Sequence, residues 1–83
     1  MSLLAADIVG LVGSALMVIA YLYSNVAQVL DLRWFNLLNL VGSLMLLASL
    51  TVAFNLASLL LEIVWAAIAF AGLVRALMRG KTA

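Results

Sequence analysis

The sequence contains no cysteine, no histidine and no proline, and only four basic and three acidic residues in a chain of 83. Without cysteine there is no disulfide, no thiolate nucleophile and no thiolate-bound metal. Without histidine the commonest metal ligand and general base is missing. The acidic residues, Asp7, Asp31 and Glu62, lie too far apart to form a paired-carboxylate site on one helix. We therefore expect no enzymatic activity, no catalytic residue, no metal and no cofactor.

What the chain does contain is apolar. Hydrophobic residues make up 70% of it, charged residues only 8%, and the mean hydropathy is +1.39. Ordinary soluble domains carry about 25% charged residues, and a domain of this size cannot hide so much apolar surface from water. The formal net charge of +1 gives no electrostatic footprint for nucleic acid. The composition therefore predicts an integral membrane protein whose main partner is the lipid bilayer.

Polar residues divide the sequence into three apolar runs. They cover residues 8–29, 34–54 and 56–78, and each is close to the roughly 20 residues that a helix needs to cross a bilayer. A continuous helix through the last two runs would be about 67 Å long, twice the hydrocarbon thickness, so the chain must turn back near Asn55. The sequence predicts a single all-α domain with three transmembrane helices.

The basic residues predict the orientation of these helices. They are Arg33, Arg75, Arg79 and Lys81. All fall in the first loop or near the C-terminal end, which lie on the same side of a protein with three spans. The positive-inside rule makes that side cytoplasmic and places the N-terminus outside. Arg33, Arg75 and Arg79, together with Trp34, are expected to act as interfacial anchors. We expect a multi-pass protein of a bacterial inner (cytoplasmic) membrane.

Each predicted helix carries small and polar residues on one face, because residues three, four, seven and eleven positions apart lie on the same side. Small side chains let helix backbones approach closely, and we expect this packing role for Gly10, Gly13, Gly42, Ala66 and Ala69. The polar residues can either form hydrogen bonds between helices or line a pathway for a solute. The candidates for such a pathway or binding site are Glu62, Trp65, Ser14, Tyr21, Asn36, Asn39, Ser43 and Ser49.

Glu62 is the first candidate among them. It lies about seven residues beyond the predicted turn, roughly 10 Å into the membrane. An ionised carboxylate at that depth costs about 2.5 kcal/mol or more, so it requires a partner or a proton. In one interpretation Glu62 couples protons or binds a cationic group. In the other it snorkels to the surface, or forms a neutral hydrogen bond that fixes the helices.

The other two acidic residues have simpler interpretations. Asp7 is predicted to cap the first helix, where an acid accepts from free amides and complements the helix dipole. Asp31 is predicted to pair with Arg33 in a solvated loop.

Three spans in 83 residues, with this orientation, resemble the bacterial semiSWEET half-transporters of the PQ-loop superfamily. In those proteins two copies pair around a solute pathway, lined by a Trp of the second helix and an Asn of the third. Glu62 stands near the position of that Asn, but the second helix here has no Trp at depth. The Pro-Gln pair of the first helix is also absent, and residues 23–25 (Tyr-Ser-Asn) stand near its place.

Four short patterns are similar to those of small, uncharacterised three-span bacterial membrane proteins. They are G-x-x-G at residues 10–13, a Tyr at position 21, N-L-x-G-S at residues 39–43 and L-L-x-x-x-W at residues 60–65. This resemblance extends over the whole length and implies a shared fold.

Two functions of different classes fit these observations. The first is a half-transporter that forms a homodimer around a pathway for a small solute or for protons. The alternative is a non-catalytic accessory or structural subunit of a larger bioenergetic or photosynthetic membrane complex, docked through the faces of small residues. The oligomeric state in the membrane distinguishes the two.

Overall fold

The computed structural model describes residues 1–79, which form three α-helices: α1 (Leu3–Val26), α2 (Leu32–Leu50) and α3 (Leu56–Arg79). All three are long and apolar enough to cross a membrane. At 1.5 Å per residue, the 19 residues of α2 extend about 28 Å, close to the thickness of the hydrocarbon core. The prediction of an all-α chain with three helices of membrane-crossing length is confirmed. Lys81 lies outside the described residues.

The first helix begins at Leu3, five residues before the predicted start of the first span. Its N-cap is Ser2, whose hydroxyl accepts a hydrogen bond from the Ala5 amide at 3.1 Å. The prediction that Asp7 caps this helix is therefore wrong, because Asp7 lies in the second turn with its side chain exposed. Serine is as good an N-cap as aspartate, and the leucines and alanines that follow it are strong helix formers.

The first connection covers residues 27–31, a little earlier and longer than predicted. The Tyr23 hydroxyl accepts a hydrogen bond from the Asp31 amide at 2.8 Å, which ties the end of α1 to the start of α2. Asp31 is the N-cap of α2 and accepts from the Arg33 amide at 3.0 Å. Its carboxylate also forms an ion pair with the Arg33 guanidinium at 3.4 Å, as predicted for this loop.

The second connection covers residues 51–55. Its end confirms the predicted turn at Asn55, whose side-chain oxygen accepts a hydrogen bond from the Ser58 amide at 2.9 Å in the first turn of α3. The Thr51 hydroxyl donates to the Ala48 carbonyl at 2.7 Å where α2 ends. The turn is longer than the single residue expected, so α2 ends four residues before the predicted end of the second span.

Helix α2 occupies the middle of the fold and packs against both neighbours, whereas α1 and α3 do not pack against each other within residues 1–79. Among residues 1–79, the buried apolar side chains are all alanines: Ala6, Ala20, Ala69 and Ala76. Large apolar side chains instead point outward on all three helices. Such a surface is a liability in water and is the expected surface of a chain that lies in lipid.

Candidate functional site

The interface of α1 with α2 is a close approach of two backbones. A Cβ atom added to Gly13 would lie 2.7 Å from the Gly42 carbonyl oxygen, and one added to Gly42 would lie equally close to the Gly13 carbonyl. A Cβ atom on Gly10 would lie 2.9 Å from the Ser49 hydroxyl oxygen. Because the Gly13 and Gly42 contacts are with backbone atoms, only a hydrogen atom fits at these two positions, whereas at Gly10 the Ser49 side chain would have to move.

The interface of α2 with α3 is polar along the length of α2. Asn36, Asn39 and Ser43 are buried, and their spacings of three and four residues place them on one face. The amide nitrogens of Asn36 and Asn39 donate to backbone carbonyls one turn earlier, at 2.8 and 2.9 Å. The Asn39 side-chain oxygen accepts a hydrogen bond from the Trp65 indole at 3.1 Å. The Asn36 side-chain oxygen lies against Gly72. Both amides are therefore held in place from within and across the interface.

Ser43 of α2 lies between α1 and α3 and has a neighbour on each of them. It has no exposed surface, its hydroxyl is 4.0 Å from the Met17 sulfur of α1, and it is a polar neighbour of the Glu62 carboxyl of α3. The Glu62 side chain is only 7% exposed. Its Oε1 atom is fully buried and has no hydrogen-bond partner among residues 1–79. Buried polar atoms without a partner are rare, and each costs about 1–3 kcal/mol or more if the group is charged.

The contacts of α2 with α3 fall into successive levels, because the two helices are antiparallel. Asn36 meets Gly72, Asn39 meets Trp65 and Ser43 meets Glu62. Ser43 is about 16 Å from the first residue of α2 and about 10 Å from the last, by helical rise. The Glu62 carboxyl therefore lies at the level of the middle third of α2.

A cavity of about 230 Å³ adjoins this level. It is lined by Phe35, Asn36, Asn39, Trp65, Ile68 and Ala69. Trp65 lies one helical turn along α3 from Glu62, which is itself not among the lining residues. The cavity lies on the side of Glu62 that leads toward the first connection and Arg33.

Five of the predicted pathway residues lie together at the interface of α2 with α3: Asn36, Asn39, Ser43, Glu62 and Trp65. The structure separates the others from them. Ser14 and Ser49 line a different groove of about 320 Å³ between α1 and α2, together with Asp7. The Ser14 hydroxyl donates to the Gly10 carbonyl of its own helix at 2.9 Å. Tyr21 is 71% exposed and faces away from both sites.

The residues predicted for helix packing on α3 are shielded from solvent to different degrees, and the predicted interfacial anchors lie near the ends of α2 and α3. Ala69 is buried and Ala66 is half-buried on α3. Arg33 and Trp34 line a groove between the start of α2 and the end of α3. The side chains of Arg75 and Arg79 are exposed on the last turns of α3.

Gly72 takes part in the site and was not among the predicted residues. A Cβ atom at this position would collide with the Asn36 side chain. Its position could have been predicted from the sequence, because Gly72 lies seven residues after Trp65, three after Ala69 and four before Ala76. Those spacings put it on the same face as the predicted stripe of α3.

A family model matches residues 6–80, nearly the whole chain. No curated protein matches the chain, and no solved structure matches it.

Proposed function

The chain belongs to the uncharacterised family whose model matches residues 6–80, and from that premise we propose that it is a half-transporter, two copies of which enclose a proton-coupled pathway for a small solute. The observation that carries this proposal is the fully buried Glu62 Oε1 atom, which has no hydrogen-bond partner among the described residues. Ionisable groups at membrane depth are costly and rare, and they mark substrate, ion and proton pathways among other functional sites.

The surroundings of Glu62 support a functional role over a structural one. A carboxyl that fixes a bundle does so through hydrogen bonds, as Asn39 does with Trp65. Glu62 has Ser43 as a polar neighbour, yet its Oε1 atom bonds to nothing in residues 1–79. Its Oε1 atom is therefore buried without a hydrogen bond to another helix among these residues. A proton or a cationic group is the partner that such an atom accepts.

A second copy is part of the proposal because three helices in this arrangement cannot enclose a path. Helices α1 and α3 each pack on α2 but not on each other within residues 1–79. One side of the α2–α3 interface is therefore left uncovered by α1. A second copy placed against that side closes the pathway, which is the arrangement that the semiSWEET resemblance implies.

The proposed setting is a bacterial inner membrane, with the N-terminus outside and the C-terminus in the cytoplasm. Arg33, Arg75 and Arg79 lie at the end of the fold opposite the Asn55 turn, and the positive-inside rule assigns that end to the cytoplasm. In this orientation the 230 Å³ cavity lies on the cytoplasmic side of Glu62.

The test is proton flux into liposomes that contain the purified protein, with a pH-sensitive dye trapped inside. We expect flux above that of protein-free liposomes for the wild type and for Asp7→Asn, and flux at the protein-free level for Glu62→Gln. Asp7→Asn is a matched control, since it removes an exposed acid that lies in a different groove. Unchanged flux in Glu62→Gln would overturn the proposal.

The alternative function, an accessory subunit, is distinguished by purification in mild detergent from the native membrane. Cross-linking that yields a dimer supports the half-transporter. Co-migration of the whole population with a larger complex, with no dimer, supports the accessory subunit and contradicts our proposal.

A further inference from the structure

Building on the proposed function, we propose that the 230 Å³ cavity is a binding site for a small organic cation, such as a quaternary ammonium ion or a protonated amine with a compact apolar body. Two observations lead to this class of solute: the type of groups that line the cavity, and the buried carboxyl one helical turn away.

The lining presents aromatic faces and oxygen atoms. Phe35 and Trp65 supply two rings, and an ammonium group is attracted to the face of an aromatic ring within about 6 Å of its centre. The amide nitrogens of Asn36 and Asn39 are directed at backbone carbonyls of their own helix, and the Trp65 N–H is bound to Asn39. The Asn39 oxygen accepts this bond from Trp65 and the Asn36 oxygen lies against Gly72, so both oxygens are in contact with α3.

This set of groups discriminates between classes of solute. An anion needs donors or a positive charge, and no Lys or Arg of the described residues lines the cavity. A sugar needs both donors and acceptors for its hydroxyl groups, whereas the side-chain donors here are engaged. An organic cation needs aromatic faces and a negative counter-charge. Phe35 and Trp65 supply the aromatic rings, and Glu62, one helical turn from Trp65, supplies the counter-charge.

The volume indicates the size of solute that the cavity accommodates. At about 30 Å³ per water molecule, 230 Å³ is the space of roughly eight waters. Sites for drug-sized ligands occupy about 300–1,000 Å³. The cavity, which opens to the protein surface, therefore suits an ammonium ion with a few carbon atoms.

The position of Glu62 links binding to proton release. Trp65 is three residues from Glu62, about 4.5 Å along the axis of α3. When the cation binds, the O–H bond of the Glu62 carboxyl breaks, the proton passes to water, and the carboxylate is left as the counter-charge. When the carboxyl takes a proton again, the counter-charge is lost and the cation leaves. One cation is thus exchanged for one proton.

Other charged groups lie too far from Glu62 to compete. The helices around the carboxyl present Ser43 from α2 and Met17, beside Ser43, from α1. Along α2, Arg33 is about 15 Å from Ser43, and along α3, Arg75 is about 20 Å from Glu62, by helical rise.

On α1, Asp7 precedes Met17 by about 15 Å and Tyr21 follows it by one turn with its side chain exposed. The Tyr23 hydroxyl, farther along, accepts from the Asp31 amide. Within residues 1–79, Glu62 is thus the titratable group at this level of the fold.

The experiment uses choline as the probe and 3,3-dimethylbutan-1-ol, its uncharged isostere, as the matched control, with the full-length protein in detergent. The chain has two tryptophans, so Trp34→Phe leaves Trp65 as the sole reporter. We expect choline to quench Trp65 fluorescence saturably and to release up to one proton per chain in weak buffer. The isostere and glucose should do neither.

Variants then test the assigned groups. Glu62→Gln should abolish proton release and weaken choline binding at least tenfold, and Glu62→Asp should retain proton release. Phe35→Leu should weaken choline binding severalfold while leaving proton release per bound choline unchanged. Helix content and elution volume equal to those of the wild type show that each variant is folded.

The outcomes separate this inference from the proposed function. No saturable choline binding, equal binding of the isostere or of glucose, or undiminished choline binding by Glu62→Gln would each overturn the inference. If choline fails to bind while proton flux still depends on Glu62, the solute class is wrong and the half-transporter stands. If choline binds and releases a proton while liposomes show no Glu62-dependent proton flux, with choline present on the opposite side or absent, the site stands and the half-transporter fails.

Discussion

The Trp65 indole donates a hydrogen bond to the Asn39 side-chain oxygen at 3.1 Å, one helical turn from the buried carboxyl of Glu62. This hydrogen bond between two side chains joins α2 to α3. It also fixes the indole plane beside the cavity, so that one interaction serves both the packing of the two helices and the shape of the site.

This hydrogen bond should be measurable as a coupling free energy. We expect a double-mutant cycle of Trp65→Phe and Asn39→Leu to give a coupling of about 0.6–1 kcal/mol, since hydrogen bonds between membrane helices contribute in that range. The measurement is unfolding of the protein by a titration of SDS into mixed micelles. Additive effects of the two substitutions would show that the bond contributes nothing to stability.

Gly72 should resist substitution because of the Asn36 side chain. Alanine in place of glycine normally stabilises an exposed helix by about 1 kcal/mol. Here the added methyl group would collide with Asn36, so we expect Gly72→Ala to destabilise the protein by about 1–3 kcal/mol. In an Asn36→Ala background the same substitution should be neutral or stabilising. A loss of stability that persists in that background would contradict the assigned contact.

The Asp31–Arg33 pair should make stability depend on pH. Partial desolvation raises the pKa of the Asp31 carboxyl, but the hydrogen bonds and the positive charge of Arg33 outweigh it and hold the pKa below its ordinary value of 3.8. A carboxyl whose pKa is lowered by folding stabilises the protein above the pKa of the unfolded chain, and this contribution is lost as the pH falls through the folded pKa.

Asp31→Asn should therefore be less stable than the wild type at pH 7 and close to it at pH 3. Asparagine is as good an N-cap as aspartate, so the difference at neutral pH reports the ion pair and the charge on the cap. The same SDS titration at the two pH values measures it. A difference that is larger at pH 3 than at pH 7 would contradict the direction of the pKa shift.

The proposed topology can be tested with single cysteines, since the chain has none of its own. We expect a membrane-impermeant maleimide to label Asn55→Cys in intact cells, and to label Arg33→Cys only after the membrane is permeabilised. Labelling of both positions from the same side would rule out three passes. Labelling with the two sides reversed would leave the three passes intact and overturn the orientation.

The number of helices and the existence of the turns could be predicted from the lengths of the apolar runs. Their ends could not, because hydropathy does not distinguish a helix from an apolar loop. Residues 27–30 (Ala-Gln-Val-Leu) are mostly apolar, yet they form a connection, which a hydrogen bond between Tyr23 and Asp31 holds in place. Likewise, hydropathy predicted that the first span begins after Asp7, whereas α1 begins at Leu3, directly after the Ser2 N-cap.

The polar face of α2 could also be predicted, because Asn36, Asn39 and Ser43 follow helical spacing. Which neighbouring helix each polar residue meets could not, since spacing along one helix gives no information about the rotation of another. Ser14 was a candidate for the same pathway as Glu62 but lines a groove of the α1–α2 interface. Tyr21 was expected on the polar face, yet its ring is exposed near the end of α1, where an amphipathic ring suits a membrane–water interface.

The most direct measurement of the Glu62 site is its reaction with dicyclohexylcarbodiimide, an apolar reagent that enters lipid and modifies protonated carboxyl groups. In native membranes we expect a mass shift on Glu62 that choline suppresses and that a water-soluble carbodiimide does not produce, while Asp7 and Asp31 remain unmodified by the apolar reagent. No modification of Glu62, or modification by the water-soluble reagent to the same extent, would contradict a buried, protonatable carboxyl at the centre of this protein.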